Sequence, residues 1–153
     1  MHLLNSLVSL FHADNDYRTD CTTLGGERVK SKGEKAIADF FYLKGIRYEY
    51  EQIAKTDAWI FSTKISRPDF YLPDYNVYVE YWGMIDVDNE KVRSEYMRQM
   101  RWKMEQYHKN NVKFISIYPS NLQNLDYFFM AKIKETTGIV ISPEDHETYN
   151  GTD

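Results

Sequence analysis

Residues 67–83 read RPDFYLPDYNVYVEYWG, two short aromatic and β-branched runs separated by Pro73, Asp74 and Asn76. Alternation within each run and turn-forming residues between them predict a β-hairpin. Each strand also carries a carboxylate, Asp69 in the first and Glu80 in the second. Acidic residues are depleted in strands, and an unpaired carboxylate on a half-buried face is costly, so something must offset the pair. With the turn centred between Asp74 and Tyr75, residues whose numbers sum to 149 face each other, which puts Asp69 opposite Glu80, Phe70 opposite Val79 and Leu72 opposite Val77. One face is then apolar, and Asp69, Tyr71, Tyr78, Glu80 and Trp82 share the other. Directly opposed like charges destabilise a sheet unless a cation lies between them, and a hard divalent ion such as Mg²⁺ or Mn²⁺ suits this oxygen-rich setting. The plainer alternative has Asp69 closing a turn beside Pro68 and Glu80 solvated at an edge.

The chain around the hairpin has 153 residues, the size of one domain. No apolar run approaches the roughly 18 residues of a membrane span. The opening MHLLNSLVSLF is apolar but lacks a basic leader and a following small-residue cleavage site, so the expectation is a soluble, cytoplasmic chain without a secretory signal. The single cysteine, Cys21, excludes an internal disulfide and a multi-cysteine zinc site. A net charge of −4 argues mildly against a nucleic-acid partner, yet Arg28, Lys30, Lys32 and Lys35, and separately Arg98, Arg101, Lys103 and Lys109, form local basic clusters.

Residues 1–30 read as an N-terminal extension, partly irregular, with the polar stretch Asp14–Gly26 as loop. Helical spacing of Ala36, Ile37, Phe40 and Phe41, extended by Leu43, predicts a first helix from Ser31 to a stop at Gly45. Tyr48, Tyr50 and Gln52 alternate with Glu49 and Glu51, the pattern of a strand with one wet face, and a loop through Asp57 leads to the hairpin. A second helix follows from Glu90 to Asn110, with its apolar stripe centred on Met97, Met100 and Met104 and Lys103 at the margin. A short strand, Val112–Tyr118, and a helix, Asn121–Thr137, complete residues 31–140, and the polar tail of residues 141–153 is expected to be loose. The order implies an α/β fold, a mixed sheet flanked by helices, with the last strand reached by a crossover.

The strings SKGEKAIADFFYLKGIRYEYE, RPDFYLPDYNVYVEYWG and YMRQMRWKMEQYHKNN followed by VKFISIY resemble the PD-(D/E)XK nucleases of restriction-endonuclease-like fold. The likeness is strongest to small resolvases, very-short-patch repair endonucleases and helicase-associated nuclease domains. It covers about Ser31–Leu125 and matches the family's α-β-β-β-α-β core order. It implies a metal-dependent DNA endonuclease of repair or recombination, using Mg²⁺ or Mn²⁺, with Glu34, Asp69 and Glu80 holding the metal. The implied partner is DNA, with no membrane and a homodimer left open. The alternatives are an inactive nucleic-acid-binding or assembly module of the same fold and an RNA-processing nuclease.

One position departs from the family pattern. Trp82 stands where the family carries a lysine two residues after the strand acid, so either the site is inactive or another cation fills the same volume from elsewhere in the chain. Lys103, whose methylenes can run along the core while its ammonium reaches the acid face, is the expected replacement. Glu34 has a competing duty, because Ser31-Lys32-Gly33-Glu34 is a capping box in which Ser31 accepts from the Glu34 amide and the Glu34 carboxylate reaches back to the Ser31 amide. His2, His12, His108 and His146 show no ligand spacing, and Gly25-Gly26 reads as a turn.

Overall fold

The computed structural model describes residues 21–51 and 67–141. The extension as far as residue 20, Gln52 and the loop through Asp57, and the tail from residue 142 lie outside the described residues.

Helix α1 spans Lys32–Leu43, starting where Ser31 accepts from the Glu34 amide at 3.2 Å and ending before Gly45, whose φ of 63° suits a residue without Cβ. Strands β1 (Glu49–Tyr50), β2 (Phe70–Leu72) and β3 (Val77–Tyr81) follow, then helix α2 (Glu90–Lys109), strand β4 (Phe114–Ile117), a 3₁₀ segment Pro119–Asn124 and helix α3 (Leu125–Thr137). The third helix thus starts later than its apolar spacing suggests, because Pro119 opens a tighter coil whose first turn is held by the Asn121 side chain accepting from the Tyr118 amide. The sheet order is β1-β2-β3-β4, antiparallel except for the β3–β4 pair, and α2 makes the crossover between those parallel strands.

The hairpin register is the one expected from the sequence. Phe70 pairs with Val79, Tyr71 with Tyr78 and Leu72 with Val77, and Asn76 takes a positive φ of 49° to close the turn. Phe70, Leu72, Val77 and Val79, joined by Ile115 and Ile117 of β4, are buried on one face against Ile37, Ala38 and Phe41 of α1 and Phe129 and Ile133 of α3. Edge-to-face rings at Phe41–Phe70 and Phe41–Phe129 stitch the layers together. The opposite face, carrying Tyr78, Glu80 and Trp82 with Phe114 and Ser116, lies under α2: Tyr107 stacks parallel on Tyr78, and Tyr96 meets Trp82 edge-on. The described residues therefore form a mixed four-stranded sheet between α2 on one side and α1 with α3 on the other. Among the described residues no helix is long and apolar enough to cross a membrane.

Two helix faces differ from their sequence reading. In α1 the buried stripe is Gly33, Glu34, Ile37, Ala38 and Phe41, while Ala36 and Leu43 face solvent. The helix is turned so that Gly33 meets the Tyr81 ring, where any Cβ would overlap it. In α2 the buried line is Met100, Lys103 and Tyr107, with Met97 and Met104 only partly covered. Lys103 occupies the centre of the stripe and not its margin, because the sheet beneath it supplies a carboxylate.

The segment before α1 is also more ordered than its polarity suggests. Cys21 and Val29 are buried, Thr22 and Arg28 form an isolated antiparallel bridge, and the Thr23 amide donates to the Glu27 carbonyl at 2.8 Å.

Candidate functional site

The acid face of the hairpin collects its polar groups at the end of the β2–β3 ladder. Glu80 sits inside β3, beside Ser116 of the parallel neighbour, and only 2% of it is exposed. A carboxylate so placed needs partners, and α2 provides two from successive turns. The Lys103 ammonium lies 2.6 Å from Glu80 Oε1 and 2.8 Å from Oε2. It also donates to the Arg67 carbonyl at 3.2 Å. The Tyr107 hydroxyl donates to Glu80 Oε1 in a short hydrogen bond.

Asp69 stands one residue before β2. The Tyr81 amide donates to its Oδ2 at 2.7 Å, and its own carbonyl accepts from the Glu51 amide at 2.9 Å. The backbone of β3, and of Glu51 just after β1, therefore fixes Asp69 at the end of the ladder. Although the residue as a whole is partly exposed, its carboxyl is desolvated. That burial, and then the negative charges of Glu80 and Glu34, push it well above the ordinary 3.8, against the opposing pull of Lys103 and the Tyr81 amide. Burial also raises Glu80 from 4.5, with Lys103 and Tyr107 pulling it back down.

Glu34, buried in the first turn of α1, belongs to the same field without joining the cluster. Its Oε2 accepts from the Tyr50 hydroxyl at 2.6 Å and from the Lys30 amide at 3.0 Å. The reach-back of the capping box thus ends at Lys30, one residue before the expected Ser31, because Tyr50 draws the carboxylate toward β1. Among the described residues no three His, Cys, Asp and Glu side chains converge to hold a metal ion as they stand.

Trp82 fills a wall. Only 5% of it is exposed, its indole N–H donates to Ser116 Oγ at 2.9 Å, and its ring lies 5.8 Å from the Lys103 ammonium. Position 82 is thus occupied by packing, while an ammonium from α2 lies against Glu80. Tyr96 rests on Trp82, and burial together with the charges of Asp69 and Glu80 pushes its phenol upward.

Asp69 thus lies within the charge field of Glu80 and Lys103, and Glu34 contributes charge from a separate hydrogen-bond set. Sequence reading did not find Tyr107 as a site residue, or Tyr50, which it took as an inward strand residue. The available signal was position for Tyr107 alone, which follows Lys103 by one helical turn; the Tyr50–Glu34 contact joins β1 to α1 across the fold.

Asp69 and Glu80 are hard oxygen donors, and Mg²⁺ commonly uses one or two carboxylates and completes its shell with water and phosphate. The negative charges of Glu80 and Glu34 act on Asp69, and that like-charge strain is the strain that a divalent cation relieves. In donor chemistry the pair fits such an ion. Compared with known proteins, the chain matches no family model, no curated protein and no solved structure.

Proposed function

We propose that the protein is a Mg²⁺- or Mn²⁺-dependent endonuclease that hydrolyses phosphodiester bonds in DNA, with a restriction-endonuclease-like arrangement of its mixed sheet. The observation that carries the reading is the convergence of Lys103 with Glu80 beside Asp69 on a sheet face where Trp82 excludes the usual lysine. The element order, helix, three strands, helix, strand, is consistent with it.

Asp69 and Glu80 would hold the ion, with Glu34 adding negative charge from α1. Such an ion, when bound, supplies a water acidic enough to attack at neutral pH and offsets charge on the phosphate. The residues of the chain do the rest. Lys103 places a preformed ammonium where phosphate oxygens gain negative charge as water adds to phosphorus and the bond to the leaving oxygen breaks. Trp82 and Tyr96 keep bulk water from that ammonium, which strengthens its field.

One observation favours a second reading, a nucleic-acid-binding module without catalysis: both Glu80 oxygens are already engaged by Lys103 and Tyr107. Incubating the pure protein with branched, nicked, single-stranded and duplex DNA in Mg²⁺ or Mn²⁺ separates the two. Cleavage that disappears in Asp69→Asn supports the nuclease. DNA binding without cleavage, together with no Mn²⁺ uptake by calorimetry, supports the module. Cleavage of RNA alone would redirect the assignment to RNA processing.

A further inference from the structure

The hydroxyl of Tyr107 is a polar group that hydrolysis as described above does not use. The residue is fully buried, its ring stacks parallel on Tyr78 at 6.3 Å between centroids and tilts against Phe114 at 4.8 Å, and a phenylalanine would fill the same space. Yet the hydroxyl is present and aimed at Glu80 Oε1. Lys103 reaches the same carboxylate through a flexible four-carbon stem, whereas the Tyr107 ring has two torsions, both held by packing on α2 and the sheet. Of the two donors, the tyrosine is therefore the one whose own geometry fixes the carboxylate plane.

We infer that Tyr107 is a positioning residue for divalent-cation binding: by donating to Oε1 it sets the orientation in which Glu80 presents its carboxylate to the ion. The inference rests on the nuclease reading above. It assigns Lys103 and Tyr107, one turn apart on α2, separate duties, the first on the phosphate and the second on the metal ligand. Groups that orient metal-binding side chains typically change metal affinity or activity by 10- to 100-fold when removed.

The test is Tyr107→Phe, which keeps the ring and deletes the donor. Calorimetric titration with Mn²⁺ should show affinity lowered about tenfold or more, with cleavage at saturating Mn²⁺ recovering to within about threefold of wild type. Lys103→Met should behave in the opposite way, holding Mn²⁺ while cleaving poorly at any concentration. A role in packing alone would lower the melting temperature of Tyr107→Phe and leave Mn²⁺ affinity within about twofold of wild type, and that result overturns the proposal. Should the variant fail to fold, the Tyr107 ring-carbon resonance next to the hydroxyl can be followed in wild type by ¹³C NMR as Mg²⁺ is added. A shift that saturates with the ion supports the proposal, and an unmoved resonance at saturation overturns it. A wild-type protein that takes up no divalent ion defeats the nuclease reading itself, a result distinct from both.

Discussion

Lys103 and Glu80 form a buried ion pair across the α2–sheet interface, with side-chain exposures of 9% and 2% and an ammonium-to-carboxylate distance of 2.6 Å. Removing one member leaves the other charged and out of water, which costs about 3–5 kcal/mol, whereas replacing both by apolar or neutral groups of similar size is often nearly neutral. Glu80→Ala should therefore lower apo stability by that amount. Like-charge repulsion across the hairpin alone would have led one to expect no loss. The double variant Glu80→Gln/Lys103→Met should be closer to wild type than either single change. Urea unfolding of wild type, Glu80→Gln, Lys103→Met and the double variant forms the thermodynamic cycle. Additive losses would mean that the pair is not coupled and that the helix carries Lys103 for another reason.

If Lys103 supplies the cation that Trp82 displaces, Lys103→Met should reduce the cleavage rate at saturating Mn²⁺ by about two to three orders of magnitude, the scale of losing one preorganised donor. Lys109 is exposed and paired with Glu105 at 3.0 Å on the outer face of α2. Its replacement by Met should weaken DNA affinity at most. Single-turnover rates, with circular dichroism to verify folding at the assay temperature, distinguish the two. Equal, small effects would remove Lys103 from the reaction.

The Asp69 carboxyl is raised by burial first and by Glu80 and Glu34 next, so the folded protein holds its proton at pH values where the unfolded chain has released it. The stability this group contributes is complete below its ordinary value of 3.8 and is lost as pH rises through the raised folded value. Asp69→Asn never ionises, so its stability advantage over wild type should grow with pH above about 4 and then level off. Glu80, raised as well, contributes a slope of the same sign to both proteins. Adding Mn²⁺ should stabilise wild type and leave Asp69→Asn nearly unmoved. A stability difference that is flat between about pH 4 and pH 8 would contradict a strained carboxyl at this position.

The hairpin was legible because two constraints agreed. Period-two alternation set the faces and the Pro73–Asn76 turn set the register, so Phe70–Val79 and Leu72–Val77 could be paired before any coordinates. Lys103 could be nominated from its place on a helical wheel, but its burial could not, because a lysine at the centre of an otherwise apolar line is explained only by the carboxylate across the interface. The local capping rule correctly joined Ser31 to the Glu34 amide, yet the carboxylate itself was drawn away by Tyr50 from another element. The opposite rotation of α1, which exposes Leu43 and buries Gly33 beside Tyr81, likewise depends on a contact between distant segments.

Glu34 separates capping from charge. Gln at position 34 can still accept from the Lys30 amide and remain within reach of Tyr50, and the Ser31 cap uses the backbone amide, so the start of α1 should survive with a melting temperature close to wild type. What Glu34→Gln removes is one of the two negative charges acting on Asp69. The Asp69 carboxyl should then ionise at lower pH in the folded protein, so the stability decline described above should still begin near the unfolded value but level off at lower pH and be smaller in total. Mn²⁺ affinity should fall, because one charge of the attracting field is gone. Both changes are measurable without cleavage, by thermal unfolding across pH and by calorimetry. If Mn²⁺ affinity and the pH profile both match wild type, Glu34 serves only to hold the Lys30 amide and Tyr50, and the charge field at Asp69 belongs to Glu80 alone.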